Sequence, residues 1–340
     1  MINRSMYLLA ASLLLSACGG SNSPSASPEA GGPNTDSLVY RTEIRRGEHG
    51  MIHIKASDYA GIGYGYSYAF AEDNICTIAD VYVTVSGERS KYFGPDESWT
   101  MTGNSTTNNN LNSDFFFKLI NAEQRVENLM AQAMPLGPLP EARELVKGYV
   151  AGYNRYLRDV GVANLPDPAC RGAAWVRPIT ELDVYRRFYQ LALLGSSAVA
   201  IDGIGSAQPP GPNSLSASMS SPAQFAEQLG AAWQGIQIGS NAIALGSEAT
   251  VNGKGMLLGN PHFPWDGAER FHQAHMTIPG VLDTTGSALF GVPMILIGHT
   301  QNLAWSHTVS SAWRFTPYQL SLVPGDPTSY LVDGQPEAMI

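Results

Sequence analysis

A serine opens an apolar strand directly after a glycine in Gly239-Ser240-Asn241-Ala242-Ile243-Ala244-Leu245. Such a serine can become a nucleophile by a route that needs only the chain itself to be cut. A conventional nucleophilic serine depends on a histidine and an acid that the fold brings to it. If the bond between Gly239 and Ser240 is broken instead, Ser240 gains a free α-amine with an unperturbed pKa of about 7.7 to 8.0. That amine can take the hydroxyl proton, directly or through a water, so base and nucleophile come in one residue. Gly239 suits the cut because glycine reaches backbone conformations denied to other residues, which leaves Ser240 free to attack the carbonyl behind it.

Other residues are brought to this point by the elements around it. Asn252-Gly253 reads as a turn, and folding the flanking strands back on it sets Ser240 opposite the region of Pro264 and Trp265, with His262 a few residues away. His262, in GNPHFPW, either orients the serine or its amine by a hydrogen bond or is a structural donor in a turn; the local pattern weighs the two equally. Upstream, Asp202 to Pro222 is dominated by Gly, Pro and Ser and predicts failing order, followed by a short amphipathic piece, AQFAEQLGAAWQGI. After a cut the tract 202–239 becomes a spacer free to leave. It separates a mainly helical part from a β-rich part.

In the helical part, Val39 to Ala56 first reads as a β-hairpin around Gly47 to Gly50. Gly61-x-Gly63 fails as a dinucleotide fingerprint because Tyr66 stands where a third glycine is required. Gly61, Gly63 and Gly65 are read instead as close packing at the start of a helix over Tyr68 to Val85. Further helices are predicted over Phe115 to Met134, over Glu141 to Val160 and from Thr180 to Leu194. In the β-rich part, strands are expected at Asn241 to Leu245, Lys254 to Leu258, Phe271 to Ile278, Val292 to Ile297, Tyr318 to Val323 and Tyr330 to Val332. Asp333-Gly334 is a hairpin signal, yet the returning strand stops at Ile340, which predicts that the protein continues beyond it. Met256 to Leu258 and Ile295 to Ile297 are expected in the core. His299 and His307 are expected as buried hydrogen-bonding residues. His272 and His275, three apart in a strand, point to opposite faces and do not share a metal.

The 340 residues carry 20 Lys plus Arg against 29 Asp plus Glu, with no basic cluster, which argues against a nucleic-acid partner. The start, MINRSMYLLAASLLLSACGG, has a short basic n-region and an apolar run too short for a confident membrane span. Its close, Leu15-Ser16-Ala17-Cys18, resembles the lipobox of bacterial lipoproteins, which makes Cys18 the lipidated residue and 19–38 a flexible tether. The alternative is an ordinary signal peptide cut near Ala17. Either way the protein is exported to an oxidising compartment, the periplasm or cell envelope. With Cys18 spent on lipid, Cys76 and Cys170 form a disulfide or stand as two unrelated buried thiols.

The segment SNAIALGSEATVNGKGMLLGNPHFPWDGAERFHQAHMTIPG resembles the start of the β-chain in the penicillin amidase family of N-terminal nucleophile hydrolases. It is most similar to the branch of acyl-homoserine-lactone and aculeacin acylases. GYGYSYAFAEDNIC, GERSKYFG and VKGYVAGYNRYL are similar to that family's α-chain, and LAWSHTVSSAWRFTPYQL to a later β-chain segment. The resemblance implies an α+β fold, an αββα sandwich of two stacked antiparallel sheets, with a mainly helical α-chain over 39–201 and a β-chain starting at 240. It implies Ser240 as nucleophile, Gly239 as the residue before self-cleavage and His262 as the histidine bonded to the nucleophile. Val309 becomes an oxyanion-hole donor through its backbone N–H, the kind of contact that typically contributes ~3 kcal/mol to the transition state. Phe263 and Val292 become acyl-pocket residues. The family's second oxyanion donor falls beyond Ile340. Its calcium aspartates have no counterpart in Ser310-Ser311-Ala312-Trp313-Arg314-Phe315, so neither metal nor cofactor is expected. The implied activity is hydrolysis of an amide joining an acyl chain to a polar amine, with α- and β-chains staying together after cleavage. Fatty acyl amides are the leading substrates and penicillin-type aryl acyl groups the alternative; a rival of another class is a non-catalytic envelope lipoprotein that is never processed.

Overall fold

The computed structural model describes residues 40–100, 107–208, 239–310, 318 and 320–339. Cys18, its tether and most of the spacer lie outside them. In chain order the elements are β1 (Thr42–Arg46), β2 (Ile52–Ala56), α1 (Tyr59–Val85), α2 (Arg89–Phe93), β3 (Ser98–Thr100), β4 (Thr107–Asn109), α3 (Asn110–Ala122), α4 (Arg125–Ala131), α5 (Pro140–Val160), α6 (Glu181–Leu193) and α7 (Ile201–Gly205). Past the spacer come β5 (Gly239–Leu245), β6 (Met256–His262), β7 (Phe271–Ile278), β8 (Leu282–Leu289), β9 (Ile297–His299), β10 (Ala304–Trp305), β11 (Leu322–Val323), β12 (Asp326–Val332) and β13 (Gln335–Ala338). Helices and strands are both well represented, an α+β chain. Among the described residues no helix is long and apolar enough to cross a membrane.

The central sheet runs β1-β2-β7-β8-β9-β10, so strands from both sides of the spacer share one sheet. All its pairs are antiparallel except β2 with β7, where Ile52 to Lys55 run parallel to Ala274 to Thr277. The implied antiparallel sheets are therefore corrected at this seam. A parallel pair needs a crossover rather than a hairpin, and here the crossover contains α1 to α7, every α-helix among the described residues. Alternation along β2 and β7 turns Ile52, Ile54, Ala274, Met276 and Ile278 to the helices, where they are buried. One face of the sheet thus packs on α1, and α5 packs behind α1.

α1 starts at Tyr59, nine residues before the expected Tyr68, because Asp58 caps it by accepting from the N–H of Gly61 at 2.7 Å. The glycine run is therefore inside the helix. A Cβ on Gly63 would lie 2.1 Å from the Leu145 carbonyl oxygen, and one on Gly148 would lie 1.9 Å from that of Ala60. These glycines let the α1 and α5 backbones touch. The helix expected over Phe115 to Met134 is two, broken at Gln124, which adopts a left-handed conformation with φ 52°. α6 begins as its sequence predicts, on a capping box between Thr180 and Asp183. A disulfide joins Cys76 in α1 to Cys170, with the Cα atoms 5.4 Å apart. Asp202, expected at the start of the disordered spacer, instead lies in α7 and accepts from the N–H of Asn109 at 2.8 Å. The strand expected at Val292 to Ile297 is a turn leading into β9, and β8 was not foreseen; its Thr/Gly/Ser-rich LDTTGSAL lacks a strong apolar alternation.

Candidate active site

β5 and β6 form a two-stranded hairpin of their own, with Gly239 opposite His262, Ser240 opposite Pro261 and Asn241 opposite Asn260. Ser240 therefore meets Pro261 rather than Pro264 or Trp265. A one-turn helix at Ser247–Ala249 takes up residues that a tight turn at Asn252-Gly253 would have left in the strand. The turn itself holds: Gly253 has φ 63°, which glycine adopts freely, and the Asn252 side chain accepts from the N–H of Lys254 at 3.0 Å.

At the head of this hairpin the Ser240 hydroxyl donates to the carbonyl oxygen of Gly239, the residue on the other side of the bond in question. The amide nitrogens of Asn260 and Asn241 lie 3.0 and 3.4 Å from His262 Nε2. An amide NH2 only donates, so Nε2 accepts and the ring proton sits on Nδ1. Nδ1 faces Gly239, 3.6 Å from where a Cβ on that glycine would stand. Alternation puts Ser240 and His262 on opposite faces of the hairpin, and no hydrogen bond joins them among the described residues. In the uncut chain His262 thus attends the Gly239 side of the bond. Space around Gly239 does not demand a glycine, since the added carbon would make only an ordinary contact.

Beside the hairpin lies an apolar cavity of about 260 Å³. Phe263, Phe271, Leu289, Leu296, Ile297 and Val309 line it, together with His307 and Thr308. Phe263 and Phe271 have ring centroids 5.1 Å apart, a favourable aromatic separation. The cavity meets the end of the hairpin through Phe263, which directly follows His262 in β6. Of the residues foreseen in sequence, Phe263 and Val309 come together here, while Val292 is buried away from the cavity. Phe271 and Leu289 were missed as site residues, although they are register partners on the sheet face away from the helices. His299 and His307 are exposed rather than buried. Met256 and Leu258 are likewise exposed, both at 57%, because the hairpin stands outside the central sheet and nothing among the described residues covers it.

Three further histidines, His53, His272 and His275, sit on the central sheet. His272 faces inward among Tyr66, Phe70 and Phe290. His275 faces outward, with Nε2 2.6 Å from Asp283 Oδ1 and Nδ1 3.0 Å from His53 Nδ1. Among the described residues no cluster of three or more His, Cys, Asp or Glu could hold a metal ion.

An α+β chain whose serine-headed hairpin abuts an apolar cavity defines the class to which comparison then gives a family. The Penicillin amidase family model matches residues 41–340, and the chain belongs to that family. It is 46% identical over 313 residues to aculeacin-A acylase of Actinoplanes utahensis, covering 88% of this chain and 37% of that protein. It is 44% identical over 302 residues to acyl-homoserine lactone acylase PvdQ of Pseudomonas syringae pv. syringae, with the same coverages of 88% and 37%. The chain thus spans 37% of the length of these curated relatives. A solved thermostable penicillin G acylase of Alcaligenes faecalis is similar over 47% of this chain and 76% of its own, at 23% identity and a TM-score of 0.37, too slight a likeness to bear on the fold.

Proposed function

We propose that this protein is an acylase that activates itself by cutting the Gly239–Ser240 bond. The observation that carries the reading is the contact between the Ser240 hydroxyl and the Gly239 carbonyl, at the head of a strand and beside an apolar cavity. Ser240 Oγ attacks the Gly239 carbonyl carbon, the C–N bond breaks as the nitrogen takes a proton, and an ester replaces the amide. Water then hydrolyses the ester, giving a Gly239 carboxylate and a Ser240 α-amine. Gly239 then ends a tail still joined to the upstream part, and it can withdraw from the ground before His262 Nδ1. That ring N–H is then free to turn to the new terminus.

In the mature enzyme the Ser240 amine takes the hydroxyl proton as Oγ attacks the substrate carbonyl, and passes it to the leaving nitrogen. The Val309 backbone N–H supplies one oxyanion donor, and water cleaves the acyl ester. The lining, aliphatic at Leu289, Leu296 and Ile297 and aromatic at Phe263 and Phe271, suits an apolar acyl group. The names of the relatives, an aculeacin-A acylase and an acyl-homoserine lactone acylase, put N-acyl-homoserine lactones first, and acylated lipopeptides are the other fatty acyl amides this reading includes. The remaining features of the proposal are lipidation at Cys18, residence at the bacterial envelope, the αββα sandwich for the whole protein, and α- and β-chains that stay associated through the shared sheet.

Intact-mass analysis of the full-length product tests this. Two fragments, the second beginning at Ser240, together with faster hydrolysis of long-chain than of phenylacetyl amides, are expected. A single uncut chain without amidase activity would overturn the reading.

A further inference from the structure

Arg187 is fully buried in α6, and its guanidinium is spent entirely on the far side of the Gly239–Ser240 bond and on its own helix. Nε donates to the Phe290 carbonyl at 3.0 Å and Nη2 to the Ala268 carbonyl at 2.8 Å. Nη1 donates to Gln190 at 2.9 Å and lies 3.3 Å from Glu269, itself only 2% exposed. The segment it meets is shaped to receive it. Gly291 has φ 85°, and a Cβ there would stand 3.0 Å from Arg187 Cγ.

Three of these four acceptors, Ala268, Glu269 and Phe290, flank in sequence the residues that wall the cavity. Ala268 and Glu269 lead into Phe271, Phe290 follows Leu289, and Phe271 and Leu289 are paired across β7 and β8 as cavity lining. One side chain therefore holds both chain ends from which that wall of the cavity hangs. A planar fork with five donors can do this; a lysine ammonium has neither the reach in two directions nor the fixed angles. Burial works against charge on both partners, pushing the Glu269 carboxyl up even though Arg187 pulls it down, so the pair is an expensive way to gain stability alone.

We propose that Arg187 is the positioning residue of the acyl cavity, reaching across the cleavage site from the upstream part of the chain to fix the Phe271–Leu289 wall and so to set which acyl lengths fit. This rests on the acylase reading for its substrate, but its test does not. The binding of saturated fatty acids from hexanoate to tetradecanoate is to be measured by calorimetry on the full-length protein, wild type, Arg187→Lys and Glu269→Gln, beside each protein's melting temperature.

The wild type is expected to bind with a preferred length. Arg187→Lys is expected to weaken the preferred acid about tenfold and flatten the preference, as sub-ångström misplacement of a fitted wall does. Glu269→Gln keeps an acceptor, and is expected to lower the melting temperature while the length preference stays. In the processed enzyme, KM for the preferred amide is expected to rise in Arg187→Lys with kcat within about threefold, whereas general structural damage would lower kcat equally for every length. A wild type that binds none of these acids, or an Arg187→Lys protein with the wild-type length preference whatever its stability, would overturn the proposal. A wild type that stays uncut yet shows the expected binding pattern would sink the self-cleavage reading and leave this one standing.

Discussion

Ser240 and its neighbours separate two requirements that the sequence had merged. Glycine before the nucleophile was read as a need for backbone freedom, but in the folded hairpin Gly239 is an ordinary strand residue paired with His262. A methyl group there would meet only His262 Nδ1, at 3.6 Å. Gly239→Ala is therefore expected to keep its stability within about 0.5 kcal/mol of wild type, as surface substitutions away from special features do. Cleavage is expected to slow, because the methyl stands on the carbon next to the carbonyl that the Ser240 hydroxyl must attack and crowds that approach. A mass time course beside a urea titration checks both halves. Ser240→Ala is expected to give one uncut chain with unchanged stability, since among the described residues its hydroxyl bonds the carbonyl behind it and no other group.

At the scale of elements, the α1–α5 contact and the start of α6 are the places where single changes bear most. Alanine is about 1 kcal/mol better than glycine in a helix interior, so propensity alone favours Gly148→Ala. The clash with the Ala60 carbonyl oxygen, 1.9 Å from the new carbon, outweighs it, and a net loss of about 2 kcal/mol is expected from the urea midpoint. Gly203→Ala in α7 is the control: nothing lies within 4 Å, and it should be neutral or stabilising. In α6, burial alone would raise the Asp183 carboxyl, but Arg177 at 2.8 Å and the Thr180 donors outweigh burial and hold it below the usual aspartate value. A depressed folded-state pKa contributes stability that is present above the unfolded value, about 3.9, and is lost as pH falls through the folded one. Asp183→Asn is expected to cost about 1–3 kcal/mol at pH 7 and to flatten the loss of stability below about pH 4. Thermal melts across that range would show it; equal slopes in the two proteins would refute it.

For the whole molecule, what matters is how the parts before and after the spacer stay together. Among the described residues the links include the parallel seam of β2 on β7, where His53 and His275 meet across 222 residues, the apolar face of β7 on α1, and the buried Arg187. Within the upstream part, the disulfide closes a loop with a sequence separation of 94. A loop of that size is worth about 4 kcal/mol in the chain-entropy account, so replacing Cys76 and Cys170 together by serine is expected to lower stability by roughly that amount. Reducing agent is expected to shift the wild-type urea midpoint toward that of the double variant and to leave the variant's own midpoint where it is.

Much of this was legible in the sequence because it is local. The serine after a glycine, the turn at Asn252-Gly253, the helix start at Thr180 and the strand Phe271 to Ile278 each depend on hydrogen bonds and alternation within a few residues. Other features could be decided only in three dimensions. The parallel seam, the buried arginine and the cavity shared by Phe263, Phe271, Leu289 and Val309 join segments far apart in the chain. A strand's apolar face says that it must be covered but not by what, and an arginine inside a helix pattern looks solvated until its four acceptors converge on it. Local free energy wrote the elements and the reactive residue into the sequence; which distant surfaces closed on one another was left to the burial of the whole.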